Sequence, residues 1–290
     1  MAIVVIGAAG QLGRDLCSQL GSEAIALTHG EIELTDPASL SRVLGALEPS
    51  AVLNTAAYNL VDEAERRPAD AFAVNAFGVR ELSLVCRNIG CALVHFSTDY
   101  VFGLELDRTE PYDELAAPGP LGVYGMSKLA GEYFVRSLCP RHLIIRTCGL
   151  YGLRGSGGKG RNFVETMLRL GTERGQVRVV NDQTCTPTYT WDLASATTQL
   201  LSANAYGLYH WTNSGSCTWY EFACEIFRQA GMRVQCTPIT SEQYGALSAR
   251  PKFSVLSAAK FERHGFAPPR PWKEALKDYL EARPLSPSGL

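Results

Sequence analysis

Short apolar runs alternate with stretches of helical period along the first half of the chain. Ile3–Ile6 is an uninterrupted apolar run ended by Gly7, the pattern of a fully buried strand. Gln11–Leu20 sets Leu12, Leu16 and Leu20 on one helical face. Ala24–Leu27 and residues 51–53 read as the second and third strands. Between them, Asp36-Pro37 supplies an N-cap and a first helical residue ahead of Leu40, Val43, Leu44 and Leu47. A long helical stretch from about Pro68 carries Phe72, Ala76, Val79, Leu82 and Ile89. Residues 91–96 form the fourth strand and 142–145 the next, with a helix around Tyr124 between them. Strands alternating with helices predict an α/β fold with a parallel sheet covered on both faces.

Beyond about residue 150 the rhythm changes. Residues 152–161 are rich in Gly, Ser and basic residues and read as a loop. A short helix follows over 162–170. Gln176–Val180 and residues 208–211 look like further strands, and 220–230 like a helix. Two short helices near 257–264 and 272–282 follow Arg250-Pro251, and 284–290 reads as a frayed end. No internal repeat is visible.

Composition narrows the field. Hydrophobic residues make up 46% of the 290 and charged residues 19%, enough for a sizeable core and against disorder. The formal net charge is −2 with no basic stripe, which argues against nucleic acid or an anionic membrane as main partner. Nine cysteines are scattered without CxxC pairs and read as buried, reduced thiols in a cytoplasmic protein. The five histidines lack paired-ligand spacing, so no catalytic metal is indicated. Met1 leads straight into a strand, without the start of a signal peptide, and no apolar run is long enough to span a bilayer.

Three segments carry chemistry. Gly7-Ala-Ala-Gly10-Gln-Leu-Gly13 lies between a predicted strand and helix, the setting of a dinucleotide-binding turn. An acidic ribose ligand is expected about 20 residues on. The sequence there is Leu27-Thr28-His29-Gly30, without a carboxylate. Arg14 and His29 are placed to face a 2′-phosphate, which tilts the reading to NADPH, although Arg14 equally suits a solvated helix face. Ala56 and Ala57, after the third strand, would let a cofactor pass close to the backbone; ordinary small-residue packing explains them as well. Ser97-Thr98-Asp99-Tyr100 ends the fourth strand at the same carboxyl edge, where a hydroxyl can polarise a substrate carbonyl. Tyr124 and Lys128 are spaced i,i+4, on one helical face with Cβ atoms about 6 Å apart. An ammonium that close lowers a phenol's pKa and prepares it for proton transfer.

These segments together resemble the extended short-chain dehydrogenase/reductase family, in its branch of dTDP-4-dehydrorhamnose reductases. The matching pieces are GAAGQLGRDL (7–16), LNTAAYNLVDEAE (53–65), STDYVF (97–102), VYGMSKLAGE (123–132), NFVETMLRL (162–170), PTYTWDLA (187–194) and RPKFSVL (250–256). The glycine turn and YxxxK are shared across the superfamily; the stretch after Tyr58, STDYVF, SKLAGE and the 162–170 run are much more specific to the branch. The resemblance implies a Rossmann-like doubly wound sheet with a smaller C-terminal α/β substrate domain. The divisions are 1–148 plus about 187–215, and about 149–186 plus 216–290. It implies Tyr124 as proton donor, Lys128 as ligand of the nicotinamide ribose and tuner of the tyrosine, and Thr98 as contact to the substrate oxygen. Gly7, Gly10, Gln11, Leu12 and Gly13 would hold the pyrophosphate. Glu33 and Leu34 would lie near adenine, and Ala56, Ala57, Tyr58 and Asn59 would line the cofactor. Asp99, Tyr100 and Asn162 would contact the sugar. Arg250 would meet a diphosphate, or form a surface salt bridge.

The implied reaction is reduction of the 4-keto group of a dTDP-linked 4-keto-6-deoxyhexose by NADPH, or NADH, in a monomer or homodimer. Two departures touch the sugar pocket. Arg146-Thr-Cys-Gly149-Leu-Tyr151 lacks the family's aromatic residue, and the following loop, 153–161, is glycine-rich. Competing readings are a sister epimerase, dehydratase or 4-ketoreductase of other stereochemistry, a non-catalytic subunit resembling the regulatory subunit of methionine adenosyltransferase, and a nucleotide-binding scaffold.

Overall fold

The computed structural model describes residues 2–153 and 161–283. Most of the predicted glycine-rich loop, 154–160, and the predicted end at 284–290 lie outside the described residues. Six strands form one parallel sheet: β1 (Ile3–Ile6), β2 (Ala24–Leu27), β3 (Ala51–Asn54), β4 (Ala92–Thr98), β5 (His142–Thr147) and β6 (Gly207–His210), in the order β6-β5-β4-β3-β1-β2. The order reverses at β1, between β2 and β3. In an open parallel sheet the ligand crevice lies outside the carboxyl ends of the strands at such a switch point.

Helices cover both faces. On one face, α1 (Gln11–Leu20) buries Leu12 and Leu16 against the sheet beside Leu193 and Leu200 of a helix at Thr190–Ser202. On the other lie α2 (Pro37–Leu47), α3 (Val79–Ile89) and α4 (Val123–Leu138), through Leu40, Leu44, Val79, Leu82 and Val135. Asp36 caps α2 as its sequence demands, its carboxylate accepting from the N–H groups of Ala38 and Ser39. A doubly wound α/β sheet is therefore present, as the periodicity predicts. A third core gathers Tyr151, Val164, Phe222, Ile226, Trp272 and Tyr279 around α5 (Phe163–Arg174), the Thr190–Ser202 helix being α6, α7 (Trp219–Gln229) and α8 (Trp272–Ala282). Beside it Gln176–Val180 pairs in parallel with Gln235–Ile239.

Several elements differ from expectation. The stretch from Pro68 is not one helix: Pro68–Phe72 and α3 flank a π-helical turn at Ala73–Gly78. The wider turn presents Asn75, whose amide is tied to the backbone of Tyr58 at both ends, 2.9 Å each. β4 runs two residues further than predicted, so Ser97 and Thr98 belong to the strand itself. Helix α6 has no counterpart in the periodic reading, because buried Thr190 and Thr197 break its apolar stripe. Thr197 satisfies its hydroxyl on the carbonyl of Leu193 at 2.7 Å.

A charged pair is sealed behind the sheet's carboxyl edge. Arg146 of β5 holds Glu132 of α4 through Nε (2.9 Å) and a terminal nitrogen (2.7 Å), and both side chains are at most 2% exposed. Ser97 of β4 donates to the same carboxylate at 2.5 Å. Removing one partner strands the other charge. Arg146→Met is expected to cost about 3–5 kcal/mol in urea denaturation. Glu132→Leu together with Arg146→Met should recover much of that loss. A double variant no more stable than the single one would show that the pair is not the source.

Candidate active site

The glycine turn is shaped by close approach. Gly7 has a φ of +80°, and a Cβ there would lie 2.7 Å from Thr55 Oγ1 and 2.8 Å from the Ala56 nitrogen. A Cβ on Gly13 would lie 2.5 Å from the Gly7 carbonyl oxygen. Helix α1 begins after Gly10 with no side-chain cap, so the N–H groups of Gln11, Leu12 and Gly13 are left to an anion. This cradle fits a dinucleotide pyrophosphate. Gln11 reaches the other way: its Oε1 accepts from the Gly152 N–H (2.8 Å) and from Asn162 Nδ2 (3.0 Å).

Near the end of β2, Glu33 accepts from the backbone and hydroxyl of Thr35, and Leu34 is buried with its carbonyl against Gly78. His29 pairs with Glu33 at 3.0 Å, and Arg14 donates to the Ala9 carbonyl at 3.0 Å. Both candidates for a 2′-phosphate are thus engaged locally. Ala56, Ala57, Tyr58 and Asn59 follow β3, half-buried at the same edge.

A cleft of about 300 Å³ opens over the carboxyl ends of β4 and β5. Gln11, Asn59, Thr98, Asp99, Tyr100, Tyr124 and Asn162 line it, so seven residues singled out in sequence meet there. Tyr124 sits in the first turn of α4, edge-on to Tyr100 with ring centroids 5.8 Å apart. Glu65 holds that turn, accepting from the Val123 N–H and the Ser248 hydroxyl at 2.9 Å each. Asn75 donates to Ser127 Oγ at 3.0 Å, and Ser127 donates to the Tyr124 carbonyl at 2.8 Å. Neither Glu65 nor Asn75 has a sequence signal as a positioning group.

The electrostatics differ from the YxxxK expectation. Burial pushes the Tyr124 phenol up to about 12, and the Thr98 hydroxyl acts against that shift. Lys128 contributes no lowering. Its ammonium donates to the Phe96 carbonyl at 2.6 Å and lies 3.5 Å from His95 Nε2. Burial brings Lys128 down to about 8, with Glu132 opposing. The i,i+4 spacing sets both side chains on one face but does not set where a long, flexible lysine ends.

Two other expected contacts are internally engaged. Asp99 lines the cleft, yet its carboxylate accepts from Ser254 Oγ (2.6 Å), Cys148 Sγ (3.0 Å) and Thr98 Oγ1 (3.1 Å). Burial raises its pKa against those bonds. Arg250 pairs with Asp62 at 3.1 Å and donates to the Ser248 carbonyl, and its charge acts on Tyr100 of the cleft lining. Asn162 caps α5, accepting from the Glu165 N–H at 2.9 Å, while Nδ2 also donates to the Gly152 carbonyl. Thr147, in register with Thr98, carries a buried hydroxyl without a hydrogen-bond partner and faces the cleft. Trp219 of α7 forms another part of the lining. All nine cysteines are free thiols, six of them buried. Among the described residues no helix is long and apolar enough to cross a membrane.

A model of the RmlD substrate binding domain matches residues 1–284. The chain belongs to the RmlD family. The spore coat polysaccharide biosynthesis protein SpsK of Bacillus subtilis is 42% identical over 284 residues, covering 97% of each chain. A dTDP-4-dehydrorhamnose reductase of Mycobacterium tuberculosis is 38% identical over 287 residues, 97% of this chain and 92% of that one. The crystal structure of dTDP-4-dehydrorhamnose reductase from Bacillus anthracis in complex with NADP matches with a TM-score of 0.92 at 38% identity, over 97% of this chain and 99% of that one.

In this RmlD-family chain the buried lysine has a measurable signature. Native Lys128 loses its proton near pH 8, whereas the unfolded chain keeps it to about 10.5. Between those values the unfolded state binds more protons, so stability contributed by this group rises with pH. Relative to Lys128→Met, the wild-type chain should gain stability between about pH 8 and 10 in urea titrations, below the range where tyrosines interfere. Parallel stability curves for the two proteins would refute the shifted pKa.

Proposed function

We propose that this RmlD-family chain reduces the 4-keto group of a dTDP-linked 4-keto-6-deoxyhexose, with NADPH or NADH as reductant. The observation that carries the reading is the meeting of Thr98 and Tyr124 in one cleft, beside a glycine cradle shaped for a dinucleotide. The names of the relatives, two of them dTDP-4-dehydrorhamnose reductases, supply the substrate class. A cytoplasmic setting suits the nine free thiols.

The cofactor, when bound, supplies the hydride. Gly7, Gly10 and Gly13 let the backbone approach the pyrophosphate, and the free N–H groups of α1 bind it. Thr98 orients the substrate oxygen. Tyr124 gives its proton to that oxygen as charge develops on it. With a pKa of about 12, the phenol is protonated at any physiological pH and enters as the acid. Lys128, on the same helix face, would hold the nicotinamide ribose, its ammonium being anchored on the Phe96 carbonyl. Asp99 braces Thr98 through their 3.1 Å bond. The sheet with α1–α4 and α6 serves as the cofactor-binding part, and the third core carries the sugar-binding part.

Tyr124→Phe keeps the ring and removes the proton. Its kcat with a dTDP-4-keto-6-deoxy sugar should fall about 10²–10⁴-fold. NADPH affinity, read by fluorescence titration, should stay within about 2-fold, because the phenol makes no pyrophosphate contact. Unchanged turnover in this variant would overturn the assignment.

A further inference from the structure

We propose that Trp219 is a specificity-determining residue of the cleft, presenting its indole to the apolar edge of the sugar being reduced. This rests on the function proposed above. The cleft lining is chemically mixed. Thr98, Asp99, Tyr100 and Tyr124 bring hydroxyl and carboxyl groups from β4 and α4, whereas Leu150, Phe163 and Trp219 bring apolar surface from β5's end, α5 and α7.

The indole occupies a space the backbone leaves open. Gly149 has a φ of +56° and no side chain, and a Cβ there would come to 3.4 Å from Trp219 Cη2. The far edge of the indole therefore lies over Gly149, next to Thr147 and Cys148 at the end of β5. Its orientation is fixed from behind. Phe163 packs against it with centroids 4.8 Å apart, and fully buried Phe222 lies 6.4 Å away. Trp219 itself is only half-buried, so one side of the ring system is open to the cleft.

A ligand filling this space needs one polar edge and one apolar edge. A 4-keto-6-deoxy pyranose has both: the carbonyl is flanked on one side by the hydroxyls of C3 and C2 and on the other by C5, which carries the methyl. Aromatic faces pack well on such C–H surface. The alternative occupant is the thymine base. The sugar is favoured because the indole shares its compact cleft with Thr98 and Tyr124, which act on the carbonyl of the sugar ring.

The test compares wild type, Trp219→Ala and Trp219→Phe, with folding checked by thermal melts. Losing the indole should raise KM for the keto-sugar nucleotide about 10-fold or more, and the Phe variant should recover part of that loss. The inhibition constant of plain dTDP and the Kd of NADPH should each change by less than about 2-fold. A dTDP inhibition constant that rises in step with KM would assign the indole to the base and overturn the proposal. Unchanged KM in both folded variants would overturn it as well, leaving the reductase reading intact. A wild-type chain that binds NADPH but reduces no dTDP-4-keto sugar would overturn the reductase reading and this inference with it.

Discussion

The ion pair between Glu132 and Arg146 sets the position of almost everything at the carboxyl edge. Two charges removed from water are tolerated only when each finds its partners at good geometry. Here the carboxylate takes two bonds from Arg146 and one from Ser97, which ties α4 to both β4 and β5. The remaining guanidinium nitrogen lies 3.3 Å from His210 Nε2 and so reaches β6. His210 Nδ1 is 2.9 Å from the Tyr112 carbonyl, which fixes the ring as a neutral donor at Nδ1 and acceptor at Nε2. Burial and Arg146 hold that histidine down to about 3, so the ring stays neutral at any physiological pH. A helix docked only by apolar side chains can slide; this one is pinned to three strands by directional bonds.

The consequence reaches Tyr124 through the helix. Glu132 lies eight residues beyond it, roughly two turns along the same rod. Fixing the carboxylate fixes the helix axis, and Glu65, Asn75 and Ser127 then fix its first turn. The phenol consequently faces Thr98, a residue of the strand that Ser97 anchors. Precision of this kind is what an acid must have to meet a carbonyl oxygen at hydrogen-bond distance. It comes from groups that never touch the ligand.

Local signals were legible in the sequence, and distances were not. The glycine turn, the Asp36 cap and the strands at Ile3–Ile6 and Ala24–Leu27 follow from backbone needs within a few residues, and the structure has them where the pattern puts them. Helix α6 escaped because burying threonines depends on hydrogen bonds to their own helix, which periodicity of apolar residues does not register. The π-helical turn escaped because its cause is Asn75 meeting Tyr58 seventeen residues away. Seven predicted site residues converge on the cleft, since strand ends of a parallel sheet share an edge. Arg250 illustrates the opposite case. Its sequence neighbours suit a phosphate or an ion pair equally, and only the fold supplies Asp62 as its partner.

The sign of the tyrosine's shift shows why spacing and depth are separate questions. An i,i+4 lysine lowers a phenol's pKa when its ammonium stays near the ring in water or at a surface. Inside the protein the same ammonium must also satisfy its own donors. The Phe96 carbonyl, at the end of an edge rich in such groups, meets that need at 2.6 Å. Burial then governs both residues, raising the phenol and lowering the ammonium. The two shifts drive the pKa values apart, so the phenol holds its proton more tightly, and the ammonium less tightly, than either would in water. Among the groups acting on the phenol, the Thr98 hydroxyl is the one that favours its anion. The lowered affinity of the ammonium for its proton follows from its depth behind β4, a property of the fold and not of the YxxxK spacing.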